Sequence, residues 1–179
     1  MKVLIAGATG LTGQRVVRQL LDAGHQPVAL VRDSSDTSVL ADGCETRDGD
    51  LTDLADDVCK GMDAVIFAAG SGGSTSAEMT DKVDRDGAIS LIDSAKAADV
   101  KRFVMLSSRG AENPDPDSKL YHYLQAKHAA DEHLKASGLT YSIVRPVTLT
   151  KEDGSRDIRM GEDVDIEGKA ARGDVAAVL

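Results

Sequence analysis

The sequence predicts an α/β fold: a doubly wound parallel sheet with helices on both faces, three layers deep, built as a single domain over residues 1–179. Three observations predict it. Short apolar runs alternate with stretches of helical periodicity along the whole chain. A glycine-rich turn, Gly7-Ala8-Thr9-Gly10-Leu11-Thr12-Gly13, stands between the first apolar run and the first helical stretch. No internal repeat and no linker marks a second unit.

Each element has its own signal. Val3 to Ala6 is an apolar run ending at glycine, so it reads as a buried strand. Leu11, Val16, Val17, Leu20 and Leu21 share one helical face, closed by Gly24. Val28 to Val31 is the second strand, with Pro27 at its start, where a missing N–H is tolerable. Residues 34–43 are polar and read as a loop with a brief helix. Cys44 to Arg47 is a weak third strand, and Thr52 or Asp53 caps a short helix through Val58. Ala64 to Ala69 is a strong buried strand. Residues 70–76 are glycine, serine and one threonine, a loop by composition. A long helix follows with Ala88, Ile89, Leu91, Ile92, Ala95 and Ala98 on its inner face. Phe103 to Leu106 is the fifth strand. Pro114 and Pro116 break the chain, Ser118 caps a helix to about Ser137, and Gly138 ends it. Tyr141 to Val144 is the sixth strand, stopped before Pro146. A small strand pair is expected within 156–166, and a helix from Asp174. Such alternation requires crossover connections, hence parallel strands.

Composition removes several function classes. A chain that is 41% hydrophobic is not disordered. No apolar run is long enough to span a membrane, and the first one is too short for a signal peptide. The expected location is the cytoplasm. Cys44 and Cys59 have no metal-ligand or redox spacing and read as reduced, partly buried thiols, so no metal is expected. A net charge of −9 without any basic cluster argues against a nucleic-acid groove. The acid is mostly aspartate, 23 of the 30 acidic residues. That surface fits a salt-adapted organism as well as a simply acidic protein. The expected partner is a small-molecule substrate, with no nucleic acid and no membrane, for a monomer or homodimer.

The glycine turn carries the chemistry. Spaced by three between strand and helix, Gly7 permits the tight turn, Gly10 lets backbone approach a pyrophosphate, and Gly13 lets helix and strand pack closely. The helix N-terminus supplies free N–H groups and a positive dipole for the phosphates. This is a Rossmann-type dinucleotide site. The second strand should end at the adenosine ribose, where an acid favours NAD(H) and a cation NADP(H). The sequence there is Val31-Arg32-Asp33. Arg32 can fork onto a 2′-phosphate, so NADP(H) is preferred, while Asp33 keeps NAD(H) open.

At this point the chain resembles the short-chain dehydrogenase/reductase superfamily. It is most similar to the atypical, NAD(P)-binding branch of epimerase-like proteins and relatives of biliverdin/flavin reductase. The resemblance covers nearly the whole chain. It rests on the glycine turn, Val31-Arg32, Gly49-Asp50-Leu51, Ala68-Ala69-Gly70, Ser107-Ser108, Tyr123-x3-Lys127 and Arg145-Pro146, in family order. It implies cofactor contacts from Thr9, Leu11, Thr12 and Ser107 besides the glycines and Arg32. Asp50 and Leu51 would meet the adenine, Ala68, Ala69 and Gly70 the ribose, and Pro146 and Val147 the nicotinamide end. The family often has glycine after that proline, and Val147 departs from this. Members of the family usually continue beyond the helix at Asp174. Residues 147–179 therefore read as a partial substrate-side region.

Tyr123 and Lys127 are four apart on a predicted helix and share a face. A free phenol titrates near about 10, and an ammonium beside it should lower that value, making tyrosine a usable acid or base. Lys127 can also hold the nicotinamide ribose. The resemblance assigns the substrate-oxygen contact to Ser108, with Ser107 the alternative. His122, His128 and His133 read as exposed helix residues, Arg109 as a surface or substrate-facing residue, and loop 70–76 as a linker or a lid. The reading is an NAD(P)-dependent oxidoreductase acting on a small carbonyl, hydroxyl or conjugated ring, or an epimerase/dehydratase variant of the same site. The other class is a non-catalytic NADP(H)-binding redox sensor. Fold alone does not separate the two, and the Ser, Tyr and Lys set favours the enzyme.

Overall fold

A computed structural model of the protein describes residues 1–72, 75–161 and 164–179. The expected loop 70–76 and strand pair in 156–166 lie partly outside these. Six strands form one sheet: β1 (Lys2–Ala6), β2 (Gln26–Val31), β3 (Glu45–Asp48), β4 (Ala64–Phe67), β5 (Arg102–Leu106) and β6 (Tyr141–Val144). All pairs are parallel and the order is β3-β2-β1-β4-β5-β6. Pro27 lies inside β2. The N–H of Gln26 donates to Met1 on the β1 side, so the absent N–H of Pro27 falls on the β3 side, where pairing starts only at Val28.

Successive strand residues face opposite layers. Leu4, Val28, Val65, Phe67, Phe103 and Met105 pack against α3 (Ala88–Ala97) and α4 (Tyr121–Ala136). Val3, Ile5, Ala29, Val31, Ile66 and Val104 pack against α1 (Gly13–Asp22) and α5 (Arg172–Val178). Continuous apolar runs are what a sheet covered on both faces requires. The helix α2 (Ala77–Thr80) continues without a break through a π-helical stretch, Asp81–Gly87, into α3. No helix among the described residues is long and apolar enough to cross a membrane.

Helix ends follow the expected chemistry at α1. Gly24 has φ +75°, its N–H donates to Leu21, and His25 donates to Leu20. That is the Schellman stop. Helix α3 ends with the same bonds, Asp99 to Lys96 and Val100 to Ala95, but Asp99 takes the left-handed position at φ +54°. Asp99→Gly should therefore stabilise the fold by up to about 1 kcal/mol, read as a higher urea midpoint at unchanged slope.

Three expectations need correction. No helix forms at 52–58. The Asp50 carboxylate accepts from both the N–H and the hydroxyl of Thr52, at 2.9 Å each, so local turn chemistry wins over helix capping. Among the described residues the strand pair is not within 156–166. It joins β7 (Thr148–Thr150) to β8 (Lys169–Ala171), because Gly154, Arg156 and Gly161 all have positive φ and interrupt extended backbone between them. Helix α4 starts at Tyr121 rather than after Ser118, whose carbonyl and hydroxyl close a turn onto Tyr121 and Leu120. Residues 147–179 thus form β7, β8 and α5, and Gln19 on α1 donates to the Gly173 carbonyl at 3.0 Å.

Candidate functional site

The strand order reverses between β1 and β4, and the crevice outside the C-terminal strand ends at such a point is where open α/β sheets take ligands. A cleft of about 310 Å³ lies there. Its walls come from the ends of β1, β2, β3 and β4: Gly7, Thr9 and Gly10, then Arg32, then Asp50 and Leu51, then Ala68, Ala69 and Gly70. Ala6, Leu30, Ser35, Gly49, Ser71, Met79 and Val83 complete it. Leu11, Thr12, Gly13, Ser107, Lys127, Pro146 and Val147 do not line it.

The glycine turn is close-packed on two sides and bare on the third. Gly7 has φ +84°, and a Cβ there would stand 2.6 Å from the Ala69 nitrogen and 2.7 Å from the Ala68 carbonyl. A Cβ on Gly13 would fall on the Gly7 carbonyl oxygen, so the first turn of α1 sits directly on the glycine turn. On Gly10 it would meet only that oxygen, at 3.2 Å, and the rest of that face opens to the cleft. Bare backbone at the N-terminus of a ten-residue helix fits a diphosphate, since the first N–H groups are unpaired within the helix and the dipole attracts anions. Arg172 donates to the Thr12 hydroxyl at 3.0 Å from behind.

At the β2 end, Arg32 lines the cleft and Asp33 does not. The bonds from Thr52, chiefly its backbone N–H, hold the Asp50 carboxyl below its usual range, and the Arg32 charge adds to that. Arg32 and Asp50 thus face the same end of the cleft.

Beyond Gly70 the catalytic candidates gather at the ends of β5 and β6. Tyr123 is half-buried, and the Ser108 hydroxyl, whose bonding draws the phenol pKa down, donates to the Arg109 carbonyl at 3.2 Å. Ser107 turns away: it is buried, and its hydroxyl donates to Asp131 at 2.9 Å. Lys127 is 1% exposed, its ammonium 3.7 Å from the Asp84 carboxylate and 5.2 Å from the centre of the Phe67 ring. Burial pushes Lys127 down, against the raising effect of Asp84 and Asp131. The expectation that the ammonium lowers Tyr123 is overturned. Burial first, and then the charge of Asp84, push the phenol up to about 12, so Tyr123 is protonated at neutral pH.

Sequence reading missed Asp84 and Asp131, both wholly buried. The signal was in the periodicity. Asp84 lies four before Ala88 and seven before Leu91, and Asp131 stands between Lys127 and Leu134, so each occupies the apolar face of its helix. Arg145 belonged to a recognised motif, and its guanidinium pairs with Asp131 at 2.9 Å. His133 pairs with Asp93 at 2.7 Å, and His128 reaches the Ala111 carbonyl at 2.7 Å. Arg109 is exposed.

Comparison with known proteins shows the family and the fold. The model of a family described as NAD(P)H-binding matches residues 7–179. The uncharacterized sugar epimerase YhfK of Bacillus subtilis is 41% identical over 185 residues, spanning 100% of this chain and 86% of that protein. A solved Bacillus halodurans structure, provisionally described as an NAD-dependent epimerase/dehydratase, superposes with a TM-score of 0.92 at 37% identity, covering 99% of this chain and 85% of that one. The structure of the oxidoreductase ylbE of Lactococcus lactis gives 0.81 at 31%, covering 98% and 81%.

Proposed function

Because the chain belongs to the NAD(P)H-binding family of epimerase/dehydratase-like oxidoreductases within the short-chain dehydrogenase/reductase superfamily, we propose that it is an enzyme that moves hydride between a nicotinamide dinucleotide and a small substrate bearing a carbonyl or hydroxyl. The carrying observation is one continuous edge of the sheet: a bare glycine turn for the pyrophosphate at β1, and a serine–tyrosine pair at the end of β5.

The bound cofactor supplies the hydride. The chain's own residues do the rest. Gly7, Gly10 and the first turn of α1 hold the diphosphate, and Gly13 lets that turn sit against the Gly7 carbonyl. Leu51 offers the adenine an apolar wall, and Ala68, Ala69 and Gly70 let backbone lie against the ribose. Pro146 and Val147 flank the nicotinamide end. Ser108 orients the substrate oxygen, and Tyr123 exchanges the proton with it. The same residues would serve an epimerase cycle, which the name of the Bacillus subtilis relative suggests. The two free cysteines, Cys44 and Cys59, suit a reducing cytoplasm.

The cofactor we propose is NADP(H), on the strength of Arg32. Parallel calorimetric titrations with NADPH and NADH should show NADPH bound more tightly. Arg32→Ala should weaken NADPH about ten- to a hundredfold and leave NADH nearly unchanged, the loss expected for charge-assisted bonds to one phosphate. An NADH preference in the parent protein would move the ribose contact to Asp33. Binding of neither by folded protein would end the enzymatic reading.

A further inference from the structure

Arg172 opens α5 and reaches across to the glycine turn, where its Nη1 donates to the Thr12 hydroxyl at 3.0 Å. The side chain is half-buried, and its Nε is shielded from solvent with no hydrogen-bond partner among the described residues. No carboxylate pairs with it there either. The acids on adjoining segments are engaged elsewhere. Asp153 holds Arg15 of α1 at 2.7 Å, and the Asp174 carboxylate accepts from the Ser155 and Arg156 N–H groups at 3.3 and 2.8 Å. A cation drawn from water and left unpaired is costly, and this chain has 30 acidic residues from which a partner could have come.

The guanidinium meets a place that is positive already. Thr12 stands at the N-cap of α1, a ten-residue helix whose dipole puts partial positive charge at this end. A threonine in that position ordinarily accepts a bond from an N–H of the first turn. Thr12 caps nothing: its oxygen receives Arg172 instead, and no side chain caps the first turn of α1. Position 172 is itself held by backbone. The Gly173 N–H donates to the Glu152 carbonyl at 3.2 Å, and a Cβ on Gly173 would fall on the Asp153 carbonyl oxygen. An anion stabilises such a meeting of positive ends, and the open side of the same turn, at Thr9 and Gly10, is the cleft wall. Neither Arg172 nor Thr12 lines that cleft, so the charge lies beneath the turn.

We propose that Arg172 is a positioning residue for the cofactor's diphosphate: from beneath the turn it fixes Thr12 and supplies a positive charge that the diphosphate neutralises. This rests on the reading of the glycine turn as the diphosphate site. Arg172 touches no ligand; it acts through Thr12 and through its field. Its task differs from that of Arg32, just past β2, which serves the 2′-phosphate. A ligand with a diphosphate and no 2′-phosphate therefore reports Arg172 apart from Arg32.

The probe is ADP-ribose, which carries the diphosphate and lacks both the 2′-phosphate and the nicotinamide. Calorimetric titration of the full chain compares the parent with Arg172→Gln, Arg172→Met and Arg172→Lys. The glutamine keeps a donor for Thr12 and the methionine keeps an aliphatic stem, so the loss of charge is read in two packing backgrounds, each checked by circular dichroism. Both neutral variants should weaken ADP-ribose about five- to twentyfold at low salt, the effect of one partly screened charge. Raising KCl from about 0.05 to about 0.5 M should narrow that gap at least about twofold, because salt screens a field and leaves packing alone. Arg172→Lys keeps the charge and should stay within about threefold of the parent. A gap that keeps its size at high salt, a lysine variant as weak as the neutral ones, or no gap at all overturns the proposal. Failure of the underlying reading is distinct: the parent itself would then bind neither ADP-ribose nor NADPH.

Discussion

Tyr123→Phe should cut turnover by about 10²–10⁴-fold while leaving dinucleotide affinity within about twofold of the parent. The phenol lies near Ser108, just past the end of β5, and neither residue lines the cleft that holds the pyrophosphate turn. Phenylalanine keeps the ring, so α4 packs as before, and removes only the proton that exchanges with the substrate oxygen. Loss of turnover with intact binding in the same calorimetric titration is the expected result; unchanged turnover takes Tyr123 out of the mechanism. The pH dependence follows with a definite sign. With the phenol titrating at about 12, carbonyl reduction finds its donor protonated throughout the neutral range and should be flat there. Alcohol oxidation needs the phenolate, whose population rises about tenfold per pH unit below that value, so its rate should climb across pH 7–10.

Gly13→Ala should abolish dinucleotide binding and destabilise the fold by roughly 3 kcal/mol or more. The added Cβ falls on the Gly7 carbonyl oxygen and lies 2.7 Å from the Ala8 Cα, all backbone atoms that no rotamer change can move aside. Helix α1 must slide off the turn, which opens the N–H cradle and lifts Val16 and Val17 from the sheet at once. Gly10→Ala provides the contrast. It meets only one oxygen, at 3.2 Å, so stability should change by less than about 1 kcal/mol while cofactor affinity falls, because the methyl occupies the open face. Urea unfolding beside calorimetry separates the two. Equal stability losses for both variants would contradict the packing described here.

The cofactor half of this protein is written locally, and the sequence displays it. A strand, three glycines and an amphipathic helix are contiguous, so their spacing is read without knowing the fold. Arg32 is equally local, one residue past β2. The other half depends on residues brought together from far apart. Nothing near Tyr123 in sequence announces Asp84, thirty-nine positions earlier, whose charge helps reverse the expected effect on the phenol. Ser107 and Ser108 are adjacent letters with opposite fates, decided by which face of the β5 end each side chain leaves: one is spent on a buried aspartate, the other is left beside the phenol. Turn residues misled where side chains competed with backbone, as Asp50 and Thr52 did over 52–58.

The bridge from Arg172 to Thr12 ties the start of α5 to the turn beneath the cleft, and Gln19 to Gly173 repeats the tie one step along. Opening of α5 therefore breaks a bond to the N-cap of α1. By thermodynamic reciprocity, whatever free energy a ligand in the turn adds to α5, an ordered α5 returns to that ligand's affinity. The C-terminal helix and the phosphate turn, 160 residues apart in the chain, are joined by side-chain bonds, so a ligand that binds the turn should slow amide exchange in α5.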